Sequence, residues 1–250
     1  MSIETASPQR APELQGQTVV VIGGSAGIGL ETARRARAEG ARLILTGRNA
    51  ERLRQATDDL DPLGTAAFDA NDPAALERFF QDLAAVDHIM VTAGVPTYAR
   101  LQDLSVEELR GALDGHLLLA LLVARHAAGK VRPGGTLLLM GGTGGRHIGP
   151  GMALVSTVTA ALPALTASLA LELAPVRVNL IAPGFVDTPL SASLLGDRLE
   201  QRRDQLRATL PIRRVVGPED VAALAVHLMV NTAITGATFD IDGGQQLVEG

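Results

Sequence analysis

The sequence predicts a doubly wound α/β fold: a single domain with a seven-stranded parallel sheet and helices on both faces. Three observations predict it. Short β-branched, apolar runs alternate with helical patterns along the chain, the order that yields parallel strands joined by crossover helices. The first strand–helix junction carries three glycines at close spacing. At 250 residues, with 46% hydrophobic and 20% charged residues, the chain has the length and apolar content for one extended core.

The first element is the stretch Thr18-Val-Val-Val-Ile-Gly-Gly-Ser-Ala-Gly-Ile-Gly-Leu-Glu-Thr-Ala-Arg34. Val19 to Ile22 reads as a buried strand. Gly23, Gly27 and Gly29 follow, with Ser25 and Ile28 among them, and a helical pattern starts at once. Strand, glycine turn and helix N-terminus together make a phosphate site. The glycines let the backbone approach a pyrophosphate, whose charge meets unpaired N–H groups and the positive end of the helix dipole. Arg42–Gly47 reads as the second strand. Its end is where a carboxylate would hold the ribose 2′-hydroxyl of NAD. Here the window reads Thr46-Gly-Arg-Asn49, with no acid before Glu51. Arg48 can pair instead with a 2′-phosphate, because a guanidinium offers two donors to such an anion. NADP is therefore favoured, with NAD as the alternative.

A helix is expected over Glu51–Leu60 and a third strand over Thr65–Ala70. Asp69, at its end, either accepts from an adenine amino group or caps the next helix, Pro73–Ala84. A fourth strand covers Asp87–Gly94, and His88 within it reads as structural. Ser105 and Glu108 form a capping-box signature opening one long helix to Ala128, with His116 inside it. Arg132–Gly135 reads as a turn into a fifth strand, Thr136–Met140. A glycine-rich loop, 141–151, follows, and then an apolar helix over Met152–Leu173. Pro163 inside that helix frees the carbonyl of Thr159. The sixth strand is Val176–Ile181, broken by Pro183-Gly184. A more polar connection over 185–210 has the character of a lid. Pro218-Glu-Asp-Val221 opens the last helix, its acids placed where the dipole favours them. Gly236–Gly244 holds the last strand.

The totals exclude several classes. A net charge of −5, without any stripe of Arg or Lys interleaved with aromatics, argues against nucleic-acid binding. There is no Cys, so disulfide and thiolate chemistry are out. No group of side chains has metal-ligand spacing. Residues 1–14 read as a flexible polar tail without a signal-peptide core, and 15–250 as the dinucleotide-binding domain, which makes a cytoplasmic protein the expectation. Met152–Leu171 is long enough to span a bilayer but carries Pro163 and several hydroxyls, and reads as a buried or interface helix rather than a membrane segment.

These residues together resemble the short-chain dehydrogenase/reductase family, from about Gln15 to Leu247. The matching pieces are Gly23-x-x-x-Gly27-x-Gly29, Asp69, Ala93-Gly94, Asn179, Pro183-Gly184 and Asp187-Thr188. Ser168–Ala174 and the closing Asp240-Ile-Asp-Gly-Gly244 match as well. The resemblance implies a Rossmann-type NAD(P)-dependent oxidoreductase, usually a homodimer or homotetramer. It places Gly23, Ser25, Gly27, Ile28, Gly29, Arg48, Asp69, Ala93, Gly94, Pro183, Gly184 and Thr188 around the cofactor.

The resemblance fails at the chemistry. Family enzymes carry Tyr-x-x-x-Lys after the fifth strand, the Lys lowering the pKa of the Tyr that exchanges a proton with the substrate oxygen. Here Val155 stands for the Tyr and Thr159 for the Lys, the family's Ser falls on Gly142, and its Asn falls on His116. The Asn-Asn-Ala-Gly turn reads Val91-Thr-Ala-Gly94. A positioned general acid is worth about 10²–10⁴ in rate, or about 3–5 kcal/mol of barrier. The candidate replacements are His116, whose residue type titrates near neutrality, Tyr98 after the fourth strand and His147 in the glycine-rich loop, with Thr143 beside the empty Ser position. Two readings stay open: an oxidoreductase acting on a small carbonyl or hydroxyl compound by a non-standard route, or a dinucleotide-binding sensor, partner subunit or scaffold. Val155, Gly142 and Thr159 should leave an apolar floor suited to an uncharged, apolar substrate. The two apolar helices should pack against a second subunit.

Overall fold

The computed structural model describes residues 13–146 and 148–248. Seven strands, β1 (Thr18–Ile22), β2 (Arg42–Gly47), β3 (Gly64–Ala67), β4 (Val86–Val91), β5 (Val131–Met140), β6 (Arg177–Pro183) and β7 (Thr238–Ile241), form one sheet in the order β3-β2-β1-β4-β5-β6-β7. Every pair is parallel. The order reverses between β1 and β4, so the crevice for a ligand opens at the carboxyl ends of those two strands.

The period-2 alternation of the strands sorts their side chains into two cores. Val20, Ile22, Ile89, Leu137, Leu139 and Val178 point to the face covered by α3 (Pro73–Asp82), α5 (Leu119–Ala127) and α6 (Ala153–Glu172). Val19, Val21, Met90, Leu138 and Ile181 point to the face covered by α1 (Gly27–Ala38) and α9 (Pro218–Val230). Helix α2 (Ala50–Thr57) adds Leu53 to the second core at the sheet edge. Helix α6 is the one described helix long and apolar enough to cross a membrane, and it runs unbroken through Pro163. It packs along β6 and buries Leu154, Val155, Val158, Leu162, Thr166 and Leu169.

Three expectations are corrected. The tail was expected through residue 14, yet Leu14 is fully buried and its N–H donates to the Glu39 carbonyl at 2.9 Å. Residues 1–12 of that tail lie outside the described part of the chain. Arg132–Gly135 is not a turn: β5 begins at Val131, and these residues form a bulge between the Val86↔Val131 and His88↔Thr136 pairs. Gly135 is required there, because a Cβ on it would lie 2.2 Å from the Asp87 carbonyl. The expected helix from Ser105 to Ala128 is α4 (Val106–Leu113), a π-helical turn over Asp114–Leu118, and then α5. Its capping box is present as read, Ser105 Oγ accepting from the Glu108 N–H at 3.2 Å.

His88 is structural, as expected. Its Nε2 meets Gln17 Oε1 at 2.6 Å, its Nδ1 has no partner among the described residues, and burial pulls its pKa down to about 4. A buried Arg177 guanidinium ties β6 to the end of α9 by donating to the carbonyls of Leu228 (2.7 Å), Met229 (2.6 Å) and Asn231 (3.0 Å). These are carbonyls at the negative end of a helix, which compensate the charge in place of a carboxylate. Asn179 completes the seam by donating to Ile234 O (3.0 Å) and accepting from Ala237 N–H (3.2 Å).

Candidate active site

At the strand carboxyl ends lies a cleft of about 1400 Å³. That exceeds the ~300–1,000 Å³ of an ordinary ligand pocket and leaves room for a dinucleotide and a second molecule. All twelve residues assigned to the cofactor from the sequence border it, as do Tyr98 and His116. His147, the third proposed acid, lies outside the described residues.

The phosphate end is built by steric necessity. Gly23 has φ +100, and a Cβ there would sit 2.7 Å from Thr92 Oγ1. A Cβ on Gly29 would lie 2.3 Å from the Gly23 carbonyl, so α1 can approach the turn this closely only with glycine. Thr92, standing in the altered Asn-Asn-Ala-Gly turn, donates to the Gly23 carbonyl at 3.0 Å and fastens β4 to the glycine turn. The N-cap of α1 is Ala26, which offers no side-chain acceptor, and its first turn holds no acid. The first amides of α1 and their dipole are left for an anion, and the residues present fit a pyrophosphate.

The adenosine end holds more positive charge than the sequence reading assigned. Arg48 borders the cleft together with Ser25, Asn49 and Arg52 in a small side pocket. Arg52 was missed. It follows Arg48 by one helical turn, and Asn49, the N-cap of α2, accepts from the Arg52 N–H at 2.8 Å. The i, i+4 spacing of two arginines after a strand was the signal available. Asp69 borders this end and caps no helix: its Oδ1 accepts from Asn71 N–H at 3.0 Å, while Asp72 caps α3. The third strand stops at Ala67, which places Asp69 in the following turn.

The catalytic corner is built and chemically blank. Gly142, Val155 and Thr159 converge: a Cβ on Gly142 would lie 3.6 Å from Thr159 Cγ2, and one on Gly144 would lie 3.5 Å from Val155 Cγ2. Val155 is buried, and the Thr159 hydroxyl donates to the Val155 carbonyl at 2.8 Å within its own helix. The glycine loop presses so close that a Cβ on Gly145 would come within 2.9 Å of Thr159 Oγ1. Lys130, the single lysine in the sequence, is held by the Leu83 carbonyl at 2.6 Å, just ahead of β5 and so at the amino ends of the strands, away from the cleft at their carboxyl ends.

His116 sits in the π-helical turn, a distortion that occurs preferentially at functional sites. Its Nδ1 lies 3.1 Å from the Ala112 carbonyl. A carbonyl only accepts, so Nδ1 carries the proton and Nε2 is free to exchange one. Nε2 lies beside Gly94, 3.4 Å from where a Cβ on that glycine would be. Tyr98 borders the same cleft but is 57% exposed, and partial burial raises its hydroxyl pKa, the wrong direction for a proton-exchanging phenol. No cluster of metal-ligating side chains occurs among the described residues.

The segment after β6 folds as α7 (Pro189–Leu195), a 3-10 turn (Gly196–Arg198) and α8 (Leu199–Thr209). Thr188 caps α7 together with Ser191 and also lies 3.5 Å from the position a Gly27 Cβ would take. Arg203 anchors α8 to Asp187 through bonds of 2.6 and 2.9 Å. Gly184 is pressed by the C-terminal segment, a Cβ on it falling 2.6 Å from Asp242 Cβ.

Residues 23–246 match a family model described as enoyl-(acyl carrier protein) reductase. The dehydrogenase/reductase SDR family member 4 of Sus scrofa is 30% identical over 94% of this chain and 89% of its own. The short-chain dehydrogenase/reductase malC of Malbranchea aurantiaca is 29% identical over 94% of this chain and 96% of its own. A solved structure of the MalC reductase/Diels–Alderase from that organism superimposes with a TM-score of 0.86 at 27% identity, covering 95% of this chain and 99% of the other. A small-chain dehydrogenase solved in complex with NADPH gives 0.80 at 28% identity, covering 94% and 100%.

Proposed function

This chain belongs to the short-chain dehydrogenase/reductase family, and from that premise we propose that it binds NADP(H) and acts as an oxidoreductase on a small carbonyl or hydroxyl compound without a tyrosine acid. One observation carries the reading: an intact phosphate cradle with two arginines at its adenosine end opens into a corner where Tyr, Ser and Lys are replaced by Val155, Gly142 and Thr159. The NADPH-bound relative supports the choice of cofactor. The Arg48 and Arg52 guanidiniums suit a 2′-phosphate by charge and by their bidentate donors.

NADP(H), when bound, supplies or accepts the hydride. The residues of this chain supply the rest. The α1 amides and Gly23–Gly29 would hold the pyrophosphate, and Ala93, Gly94, Pro183, Gly184 and Thr188, which border the same cleft, would line the rest of the cofactor's site. The floor over Val155 and Gly142 is apolar and receives the body of the substrate. His116, its Nδ1–H bound to Ala112, gives or takes a proton at Nε2.

A sensor or partner subunit without turnover is the second reading. It is favoured by the Thr159 hydroxyl being spent inside its own helix and by the absence of any charged side chain among Gly142, Val155 and Thr159. A homodimer or homotetramer is part of the same proposal, because Leu113, Leu118 and Leu121, on the stretch from α4 to α5, remain exposed. Calorimetric titration with NADPH and NADH, beside a carbonyl and alcohol screen read at 340 nm, tests these readings. NADPH binding with turnover supports the oxidoreductase. Binding without turnover across the panel favours the sensor, and NADH binding as tightly as NADPH removes the 2′-phosphate argument. Sedimentation as a monomer at micromolar concentration would remove the oligomer.

A further inference from the structure

The lid helix carries a second, uncompensated group of positive charges. Along α8 and the turn before it, Arg198, Arg202, Gln205, Leu206 and Thr209 all border the cleft, following one helical face at i, i+4, i+7, i+8 and i+11. The arginines of the same segment that lie off this face are neutralised: Arg203 pairs with Asp187 and Glu200, and Arg207 with Asp204 at 2.7 Å. Arg198 and Arg202 have no carboxylate within ion-pair distance among the described residues. Arg202 is half-buried, and its one bond goes to a neutral acceptor, Gln205 Oε1, at 2.8 Å. Its remaining N–H donors have no partner among the described residues, although a half-buried guanidinium without an anion pays desolvation without return. Burial lowers its pKa, which reports the same uncompensated charge.

The cofactor's anionic groups have other partners. The pyrophosphate meets the α1 amides, where the lid residues in reach are Thr188 and Pro189 at the start of α7. Arg198 and Arg202 come a helix and a 3-10 turn further on. Arg48 and Arg52, together in their own side pocket, would take the 2′-phosphate. Of the acids on the cleft wall, Asp69 is at the adenosine end, and Glu108 Oε2 already accepts from the Ser105 N–H and Oγ, both at 2.8 Å.

We propose that Arg202, with Arg198, receives the carboxylate of an amphipathic substrate whose apolar body lies against Leu194, Leu206 and Val155. The inference rests on the oxidoreductase reading for the identity of the cleft, and replaces the uncharged substrate expected from the sequence by one with an anionic end. The lid then serves recognition as well as closure, since a substrate lacking the carboxylate leaves two guanidiniums unpaired.

The test is calorimetric titration of octanoate and octanamide into the full chain, with and without saturating NADP⁺. Variants are Arg202→Gln and the double change Arg198→Gln/Arg202→Gln. The proposal requires octanoate to bind at least tenfold more tightly than octanamide. It also requires the double variant to lose that preference while NADPH affinity stays within twofold, which doubles as evidence that the variant is folded. Equal binding of acid and amide by the wild type, or an unchanged preference in the double variant, would overturn it. A parallel loss of NADPH affinity would overturn it too, by assigning the guanidiniums to the cofactor. Should the wild type bind no NADPH, the dinucleotide reading fails separately, and the cofactor-free titrations still decide the carboxylate site.

Discussion

The β1–α1 turn and the β5–α6 corner face each other across one cleft, built with the same economy of glycine to opposite ends. At the first, each glycine makes room for a ligand: the turn closes to a separation no side chain tolerates at Gly29, and the N-terminus of α1 is left uncapped. At the second, the glycines of the loop admit the protein itself, which packs on Val155 and Thr159 and leaves nothing ionisable between them. Binding and proton transfer are therefore separable properties of this fold. The backbone geometry that cradles a dinucleotide can be kept while the side chains of the other corner change, because the two rest on different strands and on helices packed against opposite faces of the sheet.

The sharpest way to break the comparison is at His116, the one ionisable group the π-helical turn brings beside Gly94. His116→Ala should lower turnover by about 10²–10⁴, with NADPH affinity unchanged. A variant turning over at the wild-type rate would remove His116 as the acid and leave Tyr98, His147 or water as the proton source. Gly29→Ala strikes the other region: forcing α1 off the Gly23 carbonyl should weaken NADPH by about 100-fold or more, measured by calorimetry. Undiminished affinity would show that the close approach is dispensable.

A third test uses the histidine that is not in the site. The buried His88 ring stays neutral to about pH 4, whereas its unfolded reference takes a proton near 6.5. The unfolded state binds more protons in that window, so stability contributed by His88 is full above 6.5 and is lost as pH falls towards 4, by about 3 kcal/mol. Urea unfolding at pH 7 and pH 4.5 should show this loss in the wild type and a smaller one in His88→Asn. Next in size, Arg48→Ala and Arg52→Ala should each weaken NADPH by about tenfold and leave NADH unchanged; equal losses for both cofactors would remove the 2′-phosphate from the argument. The smallest effect is expected at Thr159→Val, whose hydroxyl serves only its own helix. Turnover should stay within about twofold, and a larger change would show that the corner retains chemistry.

Much of the site was legible without coordinates, because a phosphate cradle is a backbone device. Gly23, Gly27 and Gly29 report in their spacing that a chain must turn tightly and enter a helix, and Arg48 announces the end of β2. Arg52 escaped notice because its one signal, the i, i+4 spacing from Arg48, is weak in a polar helix rich in charged residues. The π-helical turn was invisible for a different reason: nothing in Asp114-Gly-His-Leu-Leu118 distinguishes it from an α-helix, and it is seen only in the folded chain, where it packs against α6. Arg198 and Arg202 were hidden among other arginines of the lid. Their distinction is the absence of a carboxylate partner, which is a fact of position.

By itself the sequence determined the order of strands and helices, the glycine turn, and the presence of Val155 and Thr159 where the family resemblance expects a tyrosine and a lysine. Each of these depends on local residue preferences or on identity at a matching position. Tertiary structure alone decided that Leu14 belongs to the core, that the residues before Thr136 are a bulge, that His116 faces the cleft, and that two lid arginines lack counter-ions. Those outcomes depend on which side chains meet across long separations in the chain, where burial and the pairing of charge are settled by the assembled sheet.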